Sequence, residues 1–196
     1  MPRFETHAHS FFSNLRILDS INRPKDMILT AAKLGYRGIT LTDHEALCGA
    51  VEWLKNEKEL KEKEKIPQDF KCAIGNEIYL TETRTMKQKY YHYILIAKDT
   101  IGFHQLCELS SKSWYYSYFD RGLERVPTLK SELVEIVKKN PGHIIAATAC
   151  LAGETATLTL ELLEAEQAQN QEEITNVRHK IEKWVEFNKD LFGEDF

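Results

Sequence analysis

The first 65 residues alternate strand-length apolar runs with helix-length amphipathic ones, and this order constrains the fold more than any other feature. Phe4 to His7 reads as a short strand. Pro24 to Leu34 reads as a helix, with Met27, Ile28, Ala31 and Ala32 on one face, a proline at its first turn and Gly35 as its stop. Gly38 to Thr42 is short and largely apolar, as a buried strand is. A second helix is expected from about Leu47 to Lys65, with Val51, Leu54 and Leu60 inward and its Lys/Glu-rich remainder solvated. Strand, helix, strand, helix predicts a parallel α/β layout.

The pattern then changes. Lys71 to Leu80 and Tyr91 to Ala97 read as strands, but the piece between them is only about ten residues, short for a helical crossover. An antiparallel return is the simpler expectation, and it puts Glu77 beside His92 on one rim. Helices from Ile101 to Tyr116 and from Thr128 to Lys139, the second closed by Asn140-Pro141-Gly142, lead back to a strand from His143 to Ala149 that ends at Cys150. From Glu154 to Lys189 the chain reads as helical with a break around Gln167 to Glu172. Ile174, Val177, Ile181, Trp184 and Val185 form an apolar stripe there, which a packed helix explains more simply than a coiled-coil partner. No repeat or linker divides the 196 residues, so a single core is expected.

Composition removes several classes of function. No apolar run approaches the ~18 residues of a membrane span. Met1-Pro2-Arg3-Phe4-Glu5 lacks the basic and apolar segments of a secretory leader, which makes the cytoplasm the expected location. Cys48, Cys72, Cys107 and Cys150 form no Cys-x-x-Cys pair, so neither a disulfide framework nor a zinc knuckle is indicated. A net charge of -4 argues against holding DNA through a broad basic surface. Were nucleic acid the substrate, metal ions or other domains would supply much of the attraction.

The chemistry-bearing residues fall at the ends of the expected strands. His7 and His9 are one residue apart on an extended segment and therefore point the same way. Thr42-Asp43-His44 follows the apolar run. With Glu77, His92 and Cys150 these donors could share one rim of a barrel or open sheet, where active sites of α/β proteins lie. Imidazole, thiolate and carboxylate together suit zinc, and the nitrogen and oxygen donors also suit manganese or iron; more than four donors imply two or three divalent ions. His104, His143 and His179 sit apart and read as structural or solvated. Trp114-Tyr115-Tyr116 and Tyr118-Phe119, near Arg121 and Arg125, could stack the bases of a single strand, although packing in the core or at a domain interface is the simpler expectation.

Five ordered blocks carry a resemblance. Phe4-Glu5-Thr6-His7-Ala8-His9-Ser10, Leu41-Thr42-Asp43-His44, Gly75-Asn76-Glu77-Ile78-Tyr79, Tyr91-His92-Tyr93-Ile94-Leu95-Ile96-Ala97-Lys98 and Thr148-Ala149-Cys150-Leu151-Ala152-Gly153-Glu154 resemble the PHP (polymerase and histidinol phosphatase) domain. The version they resemble stands at the amino terminus of the bacterial C-family replicative polymerase, the DNA polymerase III alpha subunit. Leu106-Cys107-Glu108-Leu109-Ser110-Ser111 and Arg125-Val126-Pro127 are also similar to that branch rather than to the small phosphatases.

The resemblance implies an α/β fold, a distorted (β/α)7 TIM-like barrel, with residues 1–196 as one PHP domain lacking its last strand or strands. It implies a metal cluster held by His7, His9, His44, Glu77, His92 and Cys150, with Glu77 bridging. Asp19 would fill the acidic position after the first block, although Ser13-Asn14-Leu15-Arg16-Ile17-Leu18 lengthens that loop. Glu77 and Asp43 are the candidate catalytic carboxylates, Asp43 being equally suited to orienting a neighbour. The family's later Asp-x-His is absent from these residues, and the expectation is a truncated amino-terminal piece of a larger DNA polymerase. The implied activity is phosphoester hydrolysis, removing nucleotides from the 3′ end of a primer as a proofreading exonuclease. Its implied partners are DNA, other polymerase domains and replisome subunits, with no membrane. The alternatives are a non-catalytic scaffold that docks a separate proofreading subunit, and a free-standing phosphatase of the histidinol-phosphate type.

Overall fold

A computed structural model describes residues 3–18, 20–85, 88–120 and 122–196. The alternating segment folds as its pattern requires. β1 (Phe4–Glu5), α1 (Pro24–Lys33), β2 (Gly38–Leu41), α2 (Ala50–Glu62) and β3 (Lys71–Thr81) follow one another, and β1, β2 and the first half of β3 pair in parallel. β4 (Tyr91–Ala97) returns antiparallel to β3, with Tyr79 opposite His92 and Glu77 opposite Ile94. The short connection leaves no other geometry.

α3 (Thr100–Tyr115) crosses the sheet. Three short strands follow: β5 (Tyr118–Asp120) and β6 (Leu123–Arg125) form a hairpin, and β7 (Pro127–Leu129) pairs in parallel with the far end of β3. α4 (Lys130–Lys139) leads to β8 (Ile144–Thr148), which lies antiparallel to β4, and α5 (Glu154–Gln167) and α6 (Gln171–Phe192) complete the chain. Among the described residues, six strands join one mixed sheet, which curls into a half-barrel.

β3 is the pivot of this sheet. One edge meets β2, then His44 through an isolated bridge to Glu77, then β7; the other edge is filled by β4. Gly75 permits the crossing at its middle, because a Cβ there would lie 2.6 Å from the Leu95 carbonyl oxygen and 2.9 Å from the Thr42 methyl. Ile74, Ile78 and Leu80 alternate toward the helices, so Glu77 and Tyr79 point to the opposite face.

The helices cover the outer face in two clusters. Ile28, Ala31, Trp53, Leu60 and Phe70 pack on Ile39, Leu41 and Ile74, while α3, α4, α5 and α6 pack on Ile78, Leu80, Tyr93, Leu95 and Ile144. Most of the expected stripe on α6 is covered: Trp184 joins this cluster with Ile181 partly buried against it, Ile174 and Val177 are buried, and Val185 is instead 37% exposed. The expected inward face of α2 is corrected. Leu60 is buried as expected, but Val51 and Leu54 are 64% and 46% exposed, and Ala50 and Trp53 are buried in their place. The large indole of Trp53 takes the core position, which leaves Leu54 about 100° and Val51 about 160° around the helix from it. No helix among the described residues is long and apolar enough to cross a membrane.

Candidate metal centre

Three loops and two strands supply the donors. After β1 the backbone stays extended, and Ala8 is tied to the end of β2: Thr42 N–H donates to the Ala8 carbonyl at 2.9 Å, and Ala8 N–H donates to Thr42 Oγ1 at 2.9 Å. With Ala8 held at the sheet, His7 and His9 on either side both point to the rim. Their Nε2 atoms lie 2.8 Å apart and 2.9 and 3.0 Å from Glu77 Oε2. From the other edge, His92 Nδ1 lies 2.6 Å from Glu77 Oε1, and Cys150 Sγ lies 3.5 Å from the same ring nitrogen. His44 Nδ1 is 3.7 Å from Glu77 Oε2, its ring stacked on that of His9 at 4.4 Å between centroids. Tyr79 stacks on His92 at 4.6 Å. Glu77, whose side chain is 2% exposed, is thus the point on which four imidazoles converge.

Five of the six side chains form two donor groups that share this carboxylate, His7-His9-Glu77 and Glu77-His92-Cys150, each with ligand atoms within 4.8 Å of one another, and His44 stands beside them. Two imidazole nitrogens at 2.8 Å cannot both carry protons directed at each other. A divalent cation matches lone pairs converging in this way, and nitrogen, carboxylate and thiolate are the donors it takes. The residues therefore fit a metal cluster with Glu77 between two positions. Burial alone would raise the Glu77 carboxyl, but hydrogen bonds from His7, His9 and His92 and the charge of His44 outweigh it and hold the group far below the usual carboxylate range.

Asp43 has a different place. Its oxygens accept from Ser10 N–H at 2.7 Å, Ser10 Oγ at 2.8 Å and Ser13 Oγ at 2.9 Å, behind the donor cluster rather than in it. Burial raises its carboxyl, and the hydrogen bonds from Ser10 and Ser13 and the charge of His9 offset this only in part. Ser13 Oγ also accepts from the His44 backbone N–H at 3.1 Å and lies 3.3 Å from His9 Nδ1, so Asp43 orients two of the histidines at one remove. Asp19 lies outside the described residues.

Sequence reasoning missed the supports. Asn76 donates to the carbonyls of Asp43 at 2.7 Å and Ala46 at 3.2 Å, clamping the His44 loop to β3. Glu45, in the left-handed region at φ 51°, buries its carboxylate against Arg16, with Nε to Oε2 at 2.7 Å; burial pushes it up to about 7 against the pull of Arg16. Its carbonyl accepts from Trp114 Nε1 at 2.8 Å. Ser10, Ser13 and Asn76 are single polar residues with no periodic pattern around them. Only their neighbourhood to the ligand blocks could have drawn attention. His143, read as structural, pairs with Asp99, the cap of α3, at 2.6 Å, and His179 is exposed on α6.

The model of the PHP domain family matches residues 5–196. The chain belongs to the PHP domain family. Its relatives include the DNA-directed DNA polymerase of Bacillus phage SPbeta, 36% identical over 197 residues, which cover 96% of this chain and 15% of that protein. The DNA polymerase III subunit alpha of Chlamydia muridarum (strain MoPn / Nigg) is 30% identical over 199 residues, 97% of this chain and 13% of the relative. That of Aquifex aeolicus (strain VF5) is 30% identical over 201 residues, 96% and 14%. This PHP domain thus spans about one-seventh of the length of these relatives.

Proposed function

We propose that this PHP domain is a metal-dependent phosphoesterase and that, as part of a DNA polymerase III alpha-type protein, it removes nucleotides from the 3′ end of DNA. The observation that carries the reading is Glu77, one buried carboxylate met by His7, His9 and His92 within 3.0 Å. His7, His9, His44, Glu77, His92 and Cys150 would hold two or three divalent ions, zinc, manganese or iron. Asp19 is proposed with them by its position in the motif.

Bound ions would supply activation of water and neutralisation of charge on a phosphoester. The chain's own residues do the positioning. Glu77, already ionised by its surroundings, presents one oxygen to each donor group and so fixes their separation. Asp43, through Ser13, holds the ring of His9 and the backbone of His44 from behind, and Tyr79 holds the ring of His92. No serine or cysteine nucleophile is required, and Cys150 is assigned as a ligand. The family resemblance further supports a distorted (β/α)7 barrel, of which the half-barrel would be the greater part.

The test is metal analysis with a nuclease assay. The chain, stripped with chelator and reloaded with zinc or manganese, is expected to take up two or three ions and to shorten a 3′-ended oligonucleotide. Bound metal without cleavage of any phosphoester would overturn the enzymatic reading and leave a scaffold that docks other subunits.

A further inference from the structure

The region beside the metal centre holds a cation that the centre itself does not use. Arg125, at the end of β6, is half-buried; among the described residues its Nε, shielded from solvent, has no acceptor, and no carboxylate lies within ion-pair distance. Its guanidinium lies over the ring of Tyr90 at 5.6 Å. Among the described arginines, Arg3, Arg16, Arg84 and Arg178 have carboxylate partners, and Arg23 and Arg37 are exposed to solvent; Arg125 is the half-buried one with no ion pair.

Its position is set by the sheet. Two residues after Arg125, Pro127 opens β7 opposite Tyr79, and Tyr79 is opposite His92 on β4. Neighbouring strands are about 4.8 Å apart, which puts Pro127, two residues beyond Arg125, about 10 Å from the His92 backbone. From the other side, Tyr90 is two residues from His92, about 7 Å along the chain. Glu45, beside His44, is within electrostatic reach of both His92 and Arg125. The same hairpin is latched to the site: Arg16, paired with Glu45, also donates to the Glu124 carbonyl at 2.7 Å. Phe119, on β5, is 69% exposed, and Tyr116, under the Arg84 guanidinium at 4.7 Å, is 48% exposed. The aromatic run, for which packing is the simpler expectation, therefore half-buries Trp114 against Arg16 and leaves Tyr115, Tyr116 and Phe119 exposed.

We propose that Arg125 and the β5–β6 hairpin form a second phosphate subsite, which holds a phosphodiester of a single-stranded polynucleotide next to the one at the metal centre. This rests on the phosphoesterase reading above. A guanidinium offers the paired donors that phosphate oxygens accept, and no described carboxylate competes for those of Arg125. Phe119 supplies a face on which an adjoining base stacks. The subsite makes a polynucleotide, rather than a small phosphate monoester, the matching substrate class, because only the former has a neighbouring phosphate to present.

The test separates binding from cleavage. Fluorescence anisotropy of a labelled ten-residue oligothymidylate is measured in EDTA, so that metal plays no part, with folding of each variant checked by near-ultraviolet circular dichroism. Arg125→Gln is expected to weaken binding about tenfold and to lower the salt slope by about one. Phe119→Ala, an exposed substitution that leaves the fold alone, is expected to weaken it about fivefold. Arg178→Gln, on distant α6, is expected to bind within twofold of the parent. Oligothymidylate binding unchanged by Arg125→Gln and Phe119→Ala overturns the subsite. Arg125-dependent binding by a chain that cleaves no phosphoester when loaded with manganese or zinc upholds the subsite and overturns the phosphoesterase instead.

Discussion

Glu77 on the rim and Asp43 just behind it are buried to nearly the same depth, 1% and 2% exposed, yet their carboxyl groups are displaced in opposite directions. Depth does not distinguish them. Glu77 is surrounded by imidazoles that compensate its charge; Asp43 is surrounded by serine hydroxyls and one backbone N–H, which solvate it without neutralising it. The first arrangement suits a group that shares its charge with cations. The second suits a strut. One loop, residues 42 to 46, thus separates a region built for chemistry from a region built for rigidity.

The largest expected effect attacks the first region. Glu77→Gln keeps the shape but removes the charge common to both donor groups, and calorimetric titration with zinc should show affinity lowered by more than about 100-fold, with loss of phosphoester cleavage. Retention of parental affinity would mean that the two donor groups do not depend on a shared carboxylate, and the contrast between the regions would dissolve.

Asp43→Ala attacks the second. It leaves the Ser10 N–H and two hydroxyls without their acceptor inside the protein, which should cost about 3 kcal/mol in urea unfolding of the metal-free chain. Zinc affinity should fall less than for Glu77→Gln, because the ligands remain. A larger loss of metal than of stability would reclassify Asp43 as a ligand.

Glu45 sharpens the comparison through pH. Its carboxyl is raised from 4.5 to about 7, so between those values the folded state binds more protons than the unfolded one, and stability falls as pH rises through that window. Glu77 works the other way: its folded-state value is depressed, and the stability it contributes is present above about 4.5 and lost as pH falls below that value. Glu45→Gln should therefore flatten the decline of unfolding free energy between pH 4.5 and 7 in chelator, by up to about 3 kcal/mol across the window. An unaltered slope would show that Arg16 keeps Glu45 ionised throughout.

These contrasts also show what a sequence makes legible. The strands, their antiparallel switch at β3 and β4 and the α5–α6 break could be read because hydrophobic period and connection length determine them. Five of the six donors could be placed on one rim because each stands at or a few residues from a strand end; Glu77 lies inside β3, and it was the antiparallel return of β4 that put it beside His92. Their exact partnership could not, because the spacing of Glu77 and His44 depends on a bridge between segments 33 residues apart. β5, β6 and β7 are three residues each, too short for any period to show. Val51 and Leu54 were misplaced because apolar identity marks a helix as amphipathic without fixing which of two adjacent stripes a tryptophan will claim.

The smallest expected effect concerns Asn76, which belongs to neither region and joins both. Its amide is on β3 next to Glu77, while its two acceptors, the carbonyls of Asp43 and Ala46, bracket the His44 loop. Asn76→Ala would leave those buried carbonyls short of a donor, at a cost of about 1–2 kcal/mol, and release the loop without touching any donor atom. Metal affinity should then fall by about tenfold, through the lost orientation of His44 rather than through a lost ligand. Urea unfolding and zinc titration on the same preparation measure both. If stability drops while affinity holds, the strut and the rim are mechanically independent, and the rigidity behind the metal centre serves the fold alone.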